Sequence, residues 1–95
     1  MDGIPLRLIE LPEVGGPHLG EESPLRPGDC WRDHECWAVV LPNMTIWYSG
    51  IASASGSMWT TTGDAPNLTV TPSIDDQDPG RPWHGFIRDG RLVGA

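Results

Sequence analysis

Residues 83–93 read Trp83-His84-Gly85-Phe86-Ile87-Arg88-Asp89-Gly90-Arg91-Leu92-Val93, and the Asp-Gly pair inside that run decides the fold class. A two-residue hairpin turn of type I′ needs positive φ at both central positions, which Asp followed by Gly tolerates well. The reading predicts a β-hairpin with Arg88 opposite Arg91 and Phe86 opposite Val93. His84 and Phe86 then share one face, while Trp83 and Gly85 take the other.

Upstream, Leu68, Val70, Pro72 and Ile74 alternate with Thr69, Thr71 and Ser73. That period of two marks a half-buried strand with a hydroxyl-bearing face. Pro72 places it at an edge or near a strand end, because proline has no N–H to give a ladder. Met58–Thr62, Thr45–Tyr48 and Trp37–Leu41 carry β-branched, aromatic or apolar residues. They are divided by turn signals at Gly63–Asn67, Ile51–Ser57 and Pro42-Asn43. No stretch keeps helical periodicity beyond about a turn. The fold class expected is all-β, a small antiparallel sheet or sandwich of five to six short strands.

The first 29 residues hold five prolines and five glycines, which nearly excludes helix. Ile4, Leu6 and Leu8 read as one edge strand, followed by extended loop. The chain divides into an extended Pro/Gly-rich segment at 1–29 and a single β domain at 30–95. Ninety-five residues allow one domain.

The net charge is −7, and all basic residues are arginine. Such a balance argues against direct nucleic-acid binding, which relies on clustered Lys and Arg. It suits a protein partner with a basic surface, or simple solubility. No apolar run reaches the roughly 20 residues of a membrane span. The start, Met1-Asp2-Gly3-Ile4-Pro5, lacks the pattern of a secretory signal. A cytoplasmic setting follows as the expectation, with reduced thiols.

Three groups of residues could carry chemistry. Ser73 and His84 would meet if their strands were neighbours, as nucleophile and base. Asp76 is the first choice of acid to orient the imidazole, with Asp75 or Asp78 as the alternatives. The structural alternative is a serine closing a strand after proline, and a histidine stacked on an aromatic ring. Cys30, His34 and Cys36 lie within seven residues and are ligand types that zinc prefers, which makes zinc the candidate cofactor. They lack the usual spacing of paired cysteines, and His18 or His84 would have to complete the set. Two ordinary thiols or a Cys30–Cys36 disulfide are the alternatives. The third group is a binding surface. Trp83 beside Arg81 has hot-spot composition, and Asp75 and Asp78 lie on an acidic loop suited to a basic partner.

The segments Ala65-Pro66-Asn67-Leu68-Thr69-Val70-Thr71-Pro72-Ser73-Ile74 and Trp83-His84-Gly85-Phe86-Ile87-Arg88-Asp89-Gly90 resemble a family of small phage and bacterial proteins. Its members share a Pro-Ser-aliphatic run followed by a His-x-aromatic hairpin ending in Asp-Gly or Asn-Gly. Some are mislabelled as ammonia monooxygenases. Shorter phage members have an upstream Gly-Asp-Cys-Trp element, here Gly28-Asp29-Cys30-Trp31. The resemblance implies a small accessory protein of a phage, cytoplasmic in the host or virion-associated, acting by binding protein. Bacterial members beside ubiquitin-like conjugation genes imply the alternative, a serine peptidase using Ser73 and His84. Two departures bear on that alternative. Trp83 stands where many relatives have Cys, and many relatives continue past the position of Ala95 into a Cys/His-containing tail.

Overall fold

The hairpin forms as the Asp-Gly pair requires. In the computed structural model, Asp89 has φ 50° and Gly90 φ 79°. They join β8 (Trp83–Arg88) to β9 (Arg91–Gly94), with Arg88 opposite Arg91 and Phe86 opposite Val93. Gly90 has a second duty, since a Cβ there would run into the Pro66 carbonyl. The structure describes residues 3–9, 25–33, 35–50, 58–76 and 80–95.

Two sheets complete the molecule. The first also contains β1 (Ile4–Pro5), β6 (Thr60–Thr62) and β7 (Thr69–Asp76), in the order β1-β9-β8-β7-β6. The second has the order β2-β3-β4-β5, from β2 (Arg7–Leu8), β3 (Asp29–Asp33), β4 (Cys36–Val40) and β5 (Ile46–Tyr48). No helix forms among the described residues, so the all-β expectation holds.

The core lies between the sheets. Val70, Ile74, Ile87 and Leu92 point in from the first, and Cys30, Trp37, Val39 and Trp47 from the second, with Leu6, Leu41 and Leu68 filling the margins. Fully burying each aliphatic side chain contributes roughly 1.5–3 kcal/mol. A second, smaller cluster covers the far face of the second sheet, where Trp31, Ala38 and Val40 are buried with Leu25. The indole N–H groups of Trp31 and Trp47 are buried without an acceptor among the described residues. Trp47 packs edge-on to Trp59 at 5.6 Å between ring centroids, one of the favoured arrangements of two aromatic rings.

Three expectations about the strands are corrected. Nine strands form among the described residues, where five to six were expected. The Ile4–Leu8 stretch is two short strands, because the chain changes sheets at buried Leu6. There Leu6 N–H donates to the Gly90 carbonyl, and Arg7 N–H donates to the Gly28 carbonyl across the sandwich. Pro5 pairs with Arg91 but has no N–H with which to continue that ladder. Finally, Asp29, expected in the extended loop, and Asp75, expected on an acidic loop, are strand residues; β3 runs parallel to β2. Asp29 is buried there because its carboxylate binds the Arg7 guanidinium at 3.0 Å and accepts from the Arg26 N–H.

Candidate active site

The site is built where β7 fails to stay regular. Val70 pairs with Ile87, yet Ile74 pairs with Gly85, so the register shifts between them. Three β7 residues, Thr71, Pro72 and Ser73, stand against Phe86 alone. Pro72 explains the location, because it cannot donate to the ladder and a bulge absorbs such a residue. Beyond the bulge the ladder resumes with Asp75 opposite His84 and Asp76 opposite Trp83.

Strand alternation then sorts the side chains. Ile74 and Ile87 point into the core. Ser73, Asp75, His84 and Phe86 therefore take the opposite, outer face of the first sheet. On that face His84 Nε2 lies 3.1 Å from Ser73 Oγ. With the imidazole proton on Nδ1, the Ser73 hydroxyl donates to Nε2, the orientation a general base needs. The His84 ring tilts against Phe86 with centroids 6.4 Å apart. His84 is exposed and Ser73 half-buried, so a substrate can reach both from solvent.

Asp76, the acid chosen from sequence, is on the other face. Its Oδ2 accepts from Asn43 Nδ2 at 2.6 Å and from Thr45 Oγ1 at 3.0 Å. Asn43 also donates to the Arg81 carbonyl and accepts from the Thr45 backbone N–H. Asp76 thus ties the end of β7 to the turn between β4 and β5, and its carboxylate is turned away from His84. Asp75 is the carboxylate that shares the face of Ser73 and His84. The signal was available in the sequence, since Ser73 and Asp75 are two apart and Ser73 and Asp76 three. Asn43, by contrast, is only a turn signal in the sequence, and nothing local announces its partners 33 and 38 positions away.

The other candidates separate. The β3–β4 register pairs Cys30 with Val39 and Asp33 with Cys36. Cys30 therefore faces the core and Cys36 the opposite side of the sheet, so their sulfurs cannot share one zinc ion or one disulfide. Both are free thiols. Burial, reinforced by the Asp29 charge, pushes the Cys30 thiol up to about 11. His34 and His18 lie outside the described residues, as does Asp78. Among the described residues, no three His, Cys, Asp or Glu side chains gather around a cation position. Trp83 is half-buried against the core, and its ring covers Gly85, where a Cβ would strike it.

A comparison against family models adds a finding about most of the chain. Residues 21–95 match the model described as "Bacterial ubiquitination-like system serine protease (BubE)". The chain belongs to the BubE family. The match spans both sheets apart from the Ile4–Leu8 strands. It agrees with the serine-peptidase side of the resemblance and lends no support to a phage accessory role. Comparison with curated proteins and with solved structures gives no match.

Proposed function

We propose that this BubE-family chain is a serine protease of a ubiquitination-like system, with Ser73 as nucleophile, His84 as general base and Asp75 as the acid beside the histidine. The observation that carries the reading is the 3.1 Å separation of Ser73 Oγ and His84 Nε2. A hydroxyl is a weak nucleophile until a base takes its proton. In the first step Ser73 Oγ attacks the scissile carbonyl while its proton passes to His84 Nε2. The tetrahedral intermediate collapses, the leaving amine takes that proton, and an acyl-serine remains. Water then attacks the acyl carbonyl, giving a proton to Nε2 that returns to Ser73 as the carboxylic acid product leaves. Asp75, directly across the ladder from His84, favours the imidazolium formed in each step and the tautomer that starts it. The exposure of the pair suits a macromolecular substrate whose own surface excludes water on docking.

A fluorophosphonate probe tests the reading directly. Ser73 should be the labelled residue, identified by peptide mapping. Ser73→Ala should abolish labelling, His84→Ala should reduce its rate by at least about a thousandfold, and Asp75→Asn should reduce it less. Asp76→Asn should keep labelling wherever the protein remains folded. A folded native chain that stays unlabelled at high probe concentration would remove the protease reading.

A further inference from the structure

The outer face of the first sheet does not stop at His84. Along β8 the side chains on that face are His84, Phe86 and Arg88, spaced about 6.6 Å apart as alternate strand residues are. They form a continuous column. The His84 and Phe86 ring centroids are 6.4 Å apart, and the Arg88 guanidinium lies 4.6 Å from the Phe86 centroid. The cation–π contact bends Arg88 back over the ring toward the Ser73/His84 pair. On β9, Val93 stands opposite Phe86 and Arg91 opposite Arg88, so the column is flanked by a second apolar residue and a second guanidinium.

The Arg88–Arg91 pair is unfavourable for folding by itself, because like charges directly opposite on a sheet repel. Among the described residues neither guanidinium has a carboxylate partner, whereas Arg7 has Asp29. In a chain of net charge −7 with six basic residues, two arginines facing each other on this face make a local positive site. At the other end of the same face stands Asp75. Even with the turn residue Asp89 between them in sequence, the two guanidiniums leave the hairpin end with a net positive charge, opposite in sign to Asp75 at the other end.

We infer that Phe86, Arg88 and Arg91 form a carboxylate-recognising subsite of the Ser73/His84 centre, selecting peptides with a carboxylate about two residues from the bond attacked. The inference rests on the protease reading for its role but not for its binding chemistry. An extended peptide repeats its side chains on one side every two residues, the same spacing as the column. A residue seated at Ser73 and His84 thus brings its second neighbour over Phe86, where a guanidinium fork meets a carboxylate. The carboxylate can belong to an acidic side chain or to a chain terminus.

The test is an NMR titration of the arginine Nε–H resonances, run on the native chain and on Ser73→Ala, in which hydrolysis cannot occur. Three short acetylated alanine-rich peptides serve as probes: one with a central Glu and an amidated end, its Gln counterpart, and an all-Ala peptide with a free carboxyl end. Arg88 and Arg91 should shift with at least one of the carboxylate peptides. That peptide should bind roughly three- to tenfold more tightly than the Gln amide at low salt, as an exposed charge pair allows. Whichever carboxylate peptide binds identifies the source as side chain or terminus. Arg88→Gln/Arg91→Gln should erase the preference. Equal binding of all three peptides, or a preference that survives in the double variant, overturns the subsite. Loss of fluorophosphonate labelling with the titration intact strikes the catalytic reading alone.

Discussion

The two sheets use their inner faces alike and their outer faces differently. Inward, both present apolar side chains to one shared core. Outward, the second sheet buries Trp31, Ala38 and Val40 in a cluster of its own. The first turns Ser73, Asp75, His84 and Arg88 to solvent or leaves them half-buried. In the second sheet both faces hold the fold together. In the first sheet only one does, and the other is free to carry chemistry. Polar side chains there cost the fold little, because water still reaches them.

Breaking the inner face should give the largest effect. Ile87 is fully buried and lies in β8, the strand that carries His84. Ile87→Ala should cost about 2–5 kcal/mol, the range for deleting buried aliphatic groups, read as a lower denaturation midpoint in urea. A change under about 1 kcal/mol would show that the core tolerates loss at its centre.

A smaller, pH-dependent effect separates the two thiols of the second sheet. Cys30 is buried and its thiol is raised from 9.0 to about 11, so the folded state favours the neutral form. The stability this contributes is present below the unfolded value. It is lost as pH rises through the folded one. Stability should therefore fall between about pH 9 and 11, and Cys30→Ser should flatten that fall. In native protein near pH 8, alkylation should modify half-buried Cys36 before Cys30. Reaction of Cys30 at the rate of an exposed thiol would contradict its placement in the core.

The smallest expected effect sharpens the contrast most. Ser73→Ala on the outer face should change stability by no more than about 0.5 kcal/mol, as surface substitutions usually do, while removing fluorophosphonate labelling. A large stability loss would mean that Ser73 is chiefly a structural residue of the bulge.

What the sequence made legible follows from range. The hairpin was readable because Asp89 and Gly90 act on their immediate neighbours. The face shared by Ser73 and Asp75 is readable too, by alternation, which puts Asp76 on the other face. The proximity of Ser73 and His84 depends on β7 lying beside β8 and on a bulge of the right size between Val70 and Ile74. Pro72 hints at the bulge without fixing its length. The sheet change at Leu6 was least legible, since Ile4-Pro5-Leu6-Arg7-Leu8 alternates like any single edge strand. Only the partners Gly90 and Gly28, on opposite sheets, divide it in two. The separation of Cys30 from Cys36 was hidden for a related reason. Closeness along the chain suggests a shared ligand site, and the register of β3 against β4 puts them on opposite faces.

The change of sheets at Leu6 also bears on the order in which the molecule comes together. The hairpin closes over two residues, a contact that a chain finds in microseconds. Ile4 meets Leu92, nearly the full length of the chain away, and the entropy lost in closing a loop grows with its length. That meeting is rewarded only once β9 and β3 are both in place to receive the two halves of the Ile4–Leu8 segment. Loop-closure entropy therefore makes the pairing of β1 with β9 the clasp of the sandwich, expected to fasten late in folding and to release early.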